Sequence, residues 1–96
     1  MDINLPDVHA EVTAAFARYE DALVHNKVEV LDELFWNSQH TVRYGVGENL
    51  YGADEIQAFR KDRPATGLTR TLERTLITTY GHDFATAMTQ IGRAHV

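Results

Sequence analysis

The chain has no cysteine, which excludes a disulfide scaffold, a thiolate nucleophile and a cysteine zinc site. Its two prolines, Pro6 and Pro64, stand at the edges of periodic segments and not inside them. Positive charge is scarce: nine Lys and Arg face fourteen Asp and Glu, for a net charge of −5, and the basic residues form no stripe that could displace phosphate counterions. A nucleic-acid partner is therefore not expected. No apolar run is long enough to cross a membrane, and MDINLPDVHAEV lacks the basic start and apolar core of a signal peptide. The expectation is a soluble, cytoplasmic protein without a membrane partner. His9, His25, His40, His82 and His95 are scattered, with no HxH or HExxH spacing, so no metal is expected. A GxSxG elbow, a phosphate loop and a dinucleotide fingerprint are also missing, so no cofactor is expected.

What is present is an ordinary globular composition, 44% apolar over 96 residues, read as a single domain over 1–96. Asp7–Asn26 predicts a helix: Val8, Val12, Phe16 or Ala15, Tyr19 and Leu23 recur at three- and four-residue steps. A short helix over Val28–Trp36 follows, with Val30, Leu31, Leu34 and Phe35 inward. The period then changes to two. Thr41–Val46 predicts a strand, Gly47 and Glu48 a turn, and Asn49–Tyr51 a returning strand. Ala53–Arg63 predicts a third helix, with Asp54 and Glu55 in its first turn. After a loop marked by Pro64 and Gly67, Leu68–Tyr80 and Phe84–Ile91 predict a second hairpin around a GHD turn. The order is helix, helix, hairpin, helix, hairpin, an α+β layout with helices against a curved antiparallel sheet.

Tyr19 lies on the apolar stripe of the first helix, so its ring should face the sheet. A core tyrosine with one backbone partner is the ordinary outcome. The functional alternative is a phenol delivered into a pocket, as hydrogen-bond donor or, beside a guanidinium, as base or nucleophile. In the first strand, Val42 and Val46 share one side and Arg43 shares the other with Thr41 and Gly45. A solvent-facing arginine and a two-pronged carboxylate receptor are both open readings there. Arg60 and Arg63 lie near the inner edge of the third helix, four residues after Ile56 and Phe59. The pattern favours surface arginines whose stems pack while their heads stay in water. Trp36, closing the second helix, reads more as a lid on the core than as a substrate platform. Glu48 and Asp21 do not stand out from surface carboxylates.

Taken in order, LPDVHAEVTAAFARYEDAL, VLDELFW, VRYGVGENLYGADEIQAFRKDR and LITTYGHDFATA resemble the AtzH-like family, with its HpxZ-like oxalurate-catabolism branch. That family lies within the SnoaL-like, nuclear transport factor 2-like superfamily. The resemblance implies a cone: a strongly curved antiparallel sheet whose mouth is closed by three helices. It also implies a metal-free hydrolase of C–N bonds in linear carboxylated ureas. The reactions in view are 1,3-dicarboxyurea hydrolysis to allophanate in cyanuric acid degradation, or a step in oxalurate catabolism. The family's tyrosine on the first helix and arginine on the first strand match Tyr19 and Arg43, which take the catalytic roles by that match. Arg60, Arg63 and Trp36 are then candidate substrate-binding residues.

The partners implied are a small anionic ureido substrate, a second copy of the chain in a homodimer and an amidase. Family members continue after Ala87 through a further strand and hairpin, whereas MTQIGRAHV joins GR directly to AHV. The expectation is thus a shortened or incomplete C-terminal region, with the sheet split between its two hairpins and an open edge that must be covered or paired. The alternative function is a non-catalytic binding or assembly module that partners an amidase. A different cone enzyme, such as an isomerase or cyclase, would want a more apolar pocket.

Overall fold

The computed structural model describes residues 1–45, 47–63 and 71–91. Val46, Pro64, Gly67, the start of the Leu68–Tyr80 strand and the final GRAHV all lie outside them. Within them the order is α1 (Pro6–Val24), α2 (Val28–Leu34), β1 (Val42–Tyr44), β2 (Asn49–Tyr51), α3 (Ala53–Asp62), β3 (Leu72–Tyr80) and β4 (Phe84–Ile91). This is the expected α+β succession: β2 and β4 keep the expected bounds, α1 starts one residue early and ends two early, and α2 and α3 end two and one residues early.

Pro6 starts α1 at a position where its missing N–H costs nothing, and Asp7 sits in the positive first turn. The stripe Val8, Val12, Phe16, Tyr19 and Leu23 is the covered face, and Phe16, not Ala15, is its member. Ala22 and Leu23 bury against Leu31 of α2, with Tyr19 and Val30 packed around them. The N-terminal half of α1 lies on β3, where His9 Nε2 donates to the Ile77 carbonyl at 2.9 Å. Ile3 and Asn4 bridge the edge of β3: Asn4 N–H donates to the Thr79 carbonyl, and Thr79 N–H donates to Asn4 Oδ1.

The sheet is divided. β1 pairs only with β2, and β3 only with β4, among the described residues. In the second hairpin Gly81 takes φ +66°, which suits it to the tight GHD turn. A bulge between Glu73 and Leu76 puts Arg74 at φ +53° and bends β3. Ile77 and Thr79 face α1 and are buried. On the opposite face Leu76 pairs with Met88 and Tyr80 with Phe84, and Leu76, Phe84 and Met88 are each about 60% exposed. At the other end of the molecule, Gly52 (φ +86°) turns the chain from β2 into α3 against the backbone of Gln39.

Candidate functional site

Strand alternation groups residues by face without saying which face is inside. In β1 the inside is the polar one. Val42 and Tyr44 point outward, where Tyr44 meets Tyr51 edge-on with ring centroids 6.0 Å apart. Arg43 points inward, half-buried, with its guanidinium 5.6 Å from the Phe59 ring centroid of α3. Its Nη1 donates to Glu48 Oε1 at 2.8 Å. Gly45 makes that pair possible, because a Cβ there would run into the Glu48 carboxylate. Arg43 is therefore not the solvent-facing arginine of the ordinary reading.

Arg60 departs further from expectation. In place of a surface head on a packed stem, the whole residue is 2% exposed. Its guanidinium lies 4.0 Å from the centroid of the Phe35 ring, and neither Nη1 nor Nη2 has a hydrogen-bond partner. Burial holds its pKa below the ordinary guanidinium value. Tyr19 and Asp32 pull it back up, while Arg43 and Arg63 add to the depression. Tyr19, Arg43, Arg60, Arg63 and Asp32 thus share one electrostatic neighbourhood.

Tyr19 reaches it from α1. Its ring stacks on Phe35 at 6.0 Å, so its aromatic partner caps the end of α2, whereas the sequence pattern placed the ring against the sheet. Phe35 is then flanked by a phenol on one helix and a guanidinium on another.

Arg63 is half-buried and occupied. Its Nη2 donates to the Leu23 carbonyl (3.1 Å) and to Asn26 Oδ1 (2.7 Å), at the C-terminal end of α1. Asn26 sits at φ +47°, and its Nδ2 donates to the carbonyls of Arg60 and Arg63. One left-handed asparagine therefore ties the ends of α1 and α3 together. Burial, then Arg43, keeps the Arg63 pKa below its ordinary value.

Trp36 is 68% exposed, which removes the core-lid reading. It stands on the rim of a cleft between α2 and α3, lined by Asp32, Phe35, Trp36, Ile56, Gln57 and Arg60. The cleft offers about 10 Å³, room for one water-sized group. Asp32 Oδ1 is buried at this place and also lacks a partner.

Sequence reasoning missed Asp32 and passed over Glu48 and Phe59. The available signal for Asp32 was an acid between Leu31 and Leu34, within a segment otherwise built to pack. Among the described residues, no three His, Asp or Glu side chains gather closely enough to hold a metal ion. No described helix is long and apolar enough to cross a membrane.

A profile of the AtzH-like family matches residues 1–96. No curated protein matches the chain. Among solved structures, a protein of unknown function from the DUF3225 family, from Pectobacterium atrosepticum SCRI1043, is 63% identical with a TM-score of 0.91. The alignment covers 96% of this chain and 72% of that one. A cystatin-like fold protein from Burkholderia xenovorans LB400 is 44% identical with a TM-score of 0.89, covering 96% and 71%. The α+β architecture is accordingly the cystatin-like one, consistent with the expected cone.

Proposed function

The chain belongs to the AtzH-like family, and from that premise we propose that it is a metal-free, cytoplasmic hydrolase of linear carboxylated ureas, with 1,3-dicarboxyurea as the reference substrate. One observation carries the reading. Inside an acidic protein, a fully buried guanidinium with two unpartnered nitrogens sits beside a phenol and two further arginines. Burying such a charge unpaired is costly, and an anionic ligand offsets that cost.

Arg60 draws one carboxylate end group to the mouth of the small cleft beside Trp36. Arg43 takes the other, exchanging its internal partner Glu48 for the ligand. Arg63 adds positive field while it holds α1 to α3. Tyr19, within charge range of Arg60 and Arg63, offers its phenol O–H as a hydrogen bond to the carboxyl oxygen that gains charge as water adds. The bond cleaved is the terminal carboxyl carbon–nitrogen bond. Water supplies hydroxide to the carbon and a proton to the nitrogen, leaving allophanate and bicarbonate.

Following loss of freshly prepared 1,3-dicarboxyurea by carbon NMR tests the reading directly. Tyr19→Phe and Arg43→Lys each lower turnover at least tenfold if the roles are right. Unchanged turnover in both sinks the assignment.

A second reading has an observation of its own. The apolar outer face of β3–β4, with Leu76, Phe84 and Met88, suits a protein partner, either an amidase or a second copy of the chain in a homodimer. An assembly module of this kind binds the amidase and shows no turnover alone.

A further inference from the structure

Arg43 and Arg60 each rest on a phenylalanine ring supplied by another element, but they do so on different terms. The Arg43 guanidinium lies 5.6 Å from the Phe59 ring centroid and also has a carboxylate partner in Glu48. The Arg60 guanidinium lies closer to its ring, 4.0 Å from the Phe35 centroid. Among the described residues it joins no ion pair, and neither terminal nitrogen has a hydrogen-bond partner. Arg60 shares the buried face of α3 with Ile56, one helical turn away, and that face carries its head into the interior at Phe35. Burial strips away the water that ordinarily holds a guanidinium. The electron-rich face of the ring attracts the cation instead, and most strongly where water is excluded.

We propose that Phe35 is a positioning residue of the anion site, whose ring electrons hold the Arg60 guanidinium in place at the cleft. The inference rests on the reading that this site takes carboxylated ureas, and it deepens that reading by naming what fixes the charge that attracts them. The same ring stacks on Tyr19 at 6.0 Å, so it registers the guanidinium against the phenol. Phe35 acts through Arg60 and takes no part in the chemistry. A head released from the ring has a competing partner at hand, because Asp32 lines the same cleft with an unpartnered Oδ1. A guanidinium turned to Asp32 must be withdrawn before an anion can use it. Apparent affinity then falls with the fraction of molecules that keep the competent arrangement.

The test replaces Phe35 in the intact chain by mono-, di- and trifluorophenylalanine. Fluorine withdraws electrons from the ring face, changes the shape little and makes the ring more apolar. A role in packing alone therefore leaves stability unchanged or raised. With the ring electrons holding the charge, the folding equilibrium constant from urea denaturation falls in steps, by roughly tenfold for the trifluoro ring, within the range of a cation–π contact out of water. In Arg60→Met, which has no cation there, the same series is flat. At Phe59, with its longer contact and its carboxylate-paired arginine, the fall is smaller. Calorimetric titration with N-carbamoylglycine, a stable carboxylated ureide, gives affinities that weaken in the same order as the Phe35 series, at least threefold from first to last.

A flat denaturation series in the wild-type background overturns the inference, and so does a fall of equal size in Arg60→Met. Stepwise loss of stability with unchanged ureide affinity also overturns it, because the ring then supports the fold and not the site; the carboxylated-urea reading is left standing. A wild type that binds no N-carbamoylglycine overturns that reading and the positioning role with it, while the denaturation series still reads the ring's hold on Arg60.

Discussion

The α2–α3 end of the molecule and the β3–β4 hairpin depart from the usual partition of residues in opposite directions. At the first, Arg60 is 2% exposed and its two terminal nitrogens have no hydrogen-bond partner. At the second, Leu76, Phe84 and Met88 are each about 60% exposed on one face of a two-stranded sheet. Residue type predicts the reverse in both places. Among the described residues nothing satisfies either region, and each calls for a complement of different chemistry. The buried charge wants something small, anionic and hydrogen-bonding. The exposed apolar face wants a broad surface. Departures from the ordinary rules thus set a buried charge apart from an exposed apolar face within a chain of 96 residues.

Replacing Arg60 breaks this contrast most completely. Arg60→Met removes the buried charge while keeping a long side chain against Phe35. Binding of a carboxylated ureide falls at least a hundredfold by calorimetry, while the ligand-free protein becomes more stable. The gain follows from the pKa depression: at neutral pH the guanidinium is charged in both folded and unfolded states, so the full desolvation cost opposes folding. That cost fades only at strongly alkaline pH, as the folded form sheds its proton before the unfolded one does. A gain of about 1 kcal/mol would raise the melting temperature by about 4–8 °C for a domain of this size.

The second region is tested by Leu76→Lys combined with Met88→Lys, which places like charges across one strand pair. Sedimentation then shows self-association weakened at least tenfold with ureide binding retained. A loss of ligand binding equal to the loss of association would erase the division between the two ends. A smaller effect sharpens the buried-charge end. Glu48→Gln removes the internal competitor for Arg43, and ureide affinity rises several-fold in the same titration.

The smallest effect is a control on an exposed cluster. Lys27 above all, with His25, holds the Asp21 pKa below its ordinary 3.8. The stability it contributes is complete above that value and is lost as pH falls through the lowered one. In Asp21→Asn that part of the acid sensitivity disappears from denaturation midpoints measured between pH 2 and 7, with no effect on ligand binding.

How much of this could be read in the sequence depends on the length scale of the cause. The stripe from Val8 to Leu23 was legible because its spacing is a property of one helix. The two hairpins and their turns were legible because Gly81 and the alternation act locally. Which side of β1 faces inward was not legible: alternation puts Arg43 opposite Val42 and Tyr44, but α3 and Phe59 decide that the arginine is inside. For the same reason Arg60 read as a surface residue. Its helical phase with Ile56 was correct, and its burial depends on Phe35 arriving from α2. Asp32 gave no local signal because Arg60, which lines the same cleft, lies 28 positions away on another helix. The family resemblance supplied Tyr19 and Arg43 as a pair, which no local pattern linked.

The left-handed turn at Asn26 has a consequence for the spacing of the site. Tyr19 rides on α1 and Arg60 on α3, and the asparagine bonds to the ends of both helices. It acts as a gauge block between phenol and guanidinium. Asn26→Gly keeps the backbone bend and removes the gauge, leaving the fold in place while the two groups drift out of step. The expected signature is turnover reduced more than affinity, from a residue that touches neither substrate nor reacting bond.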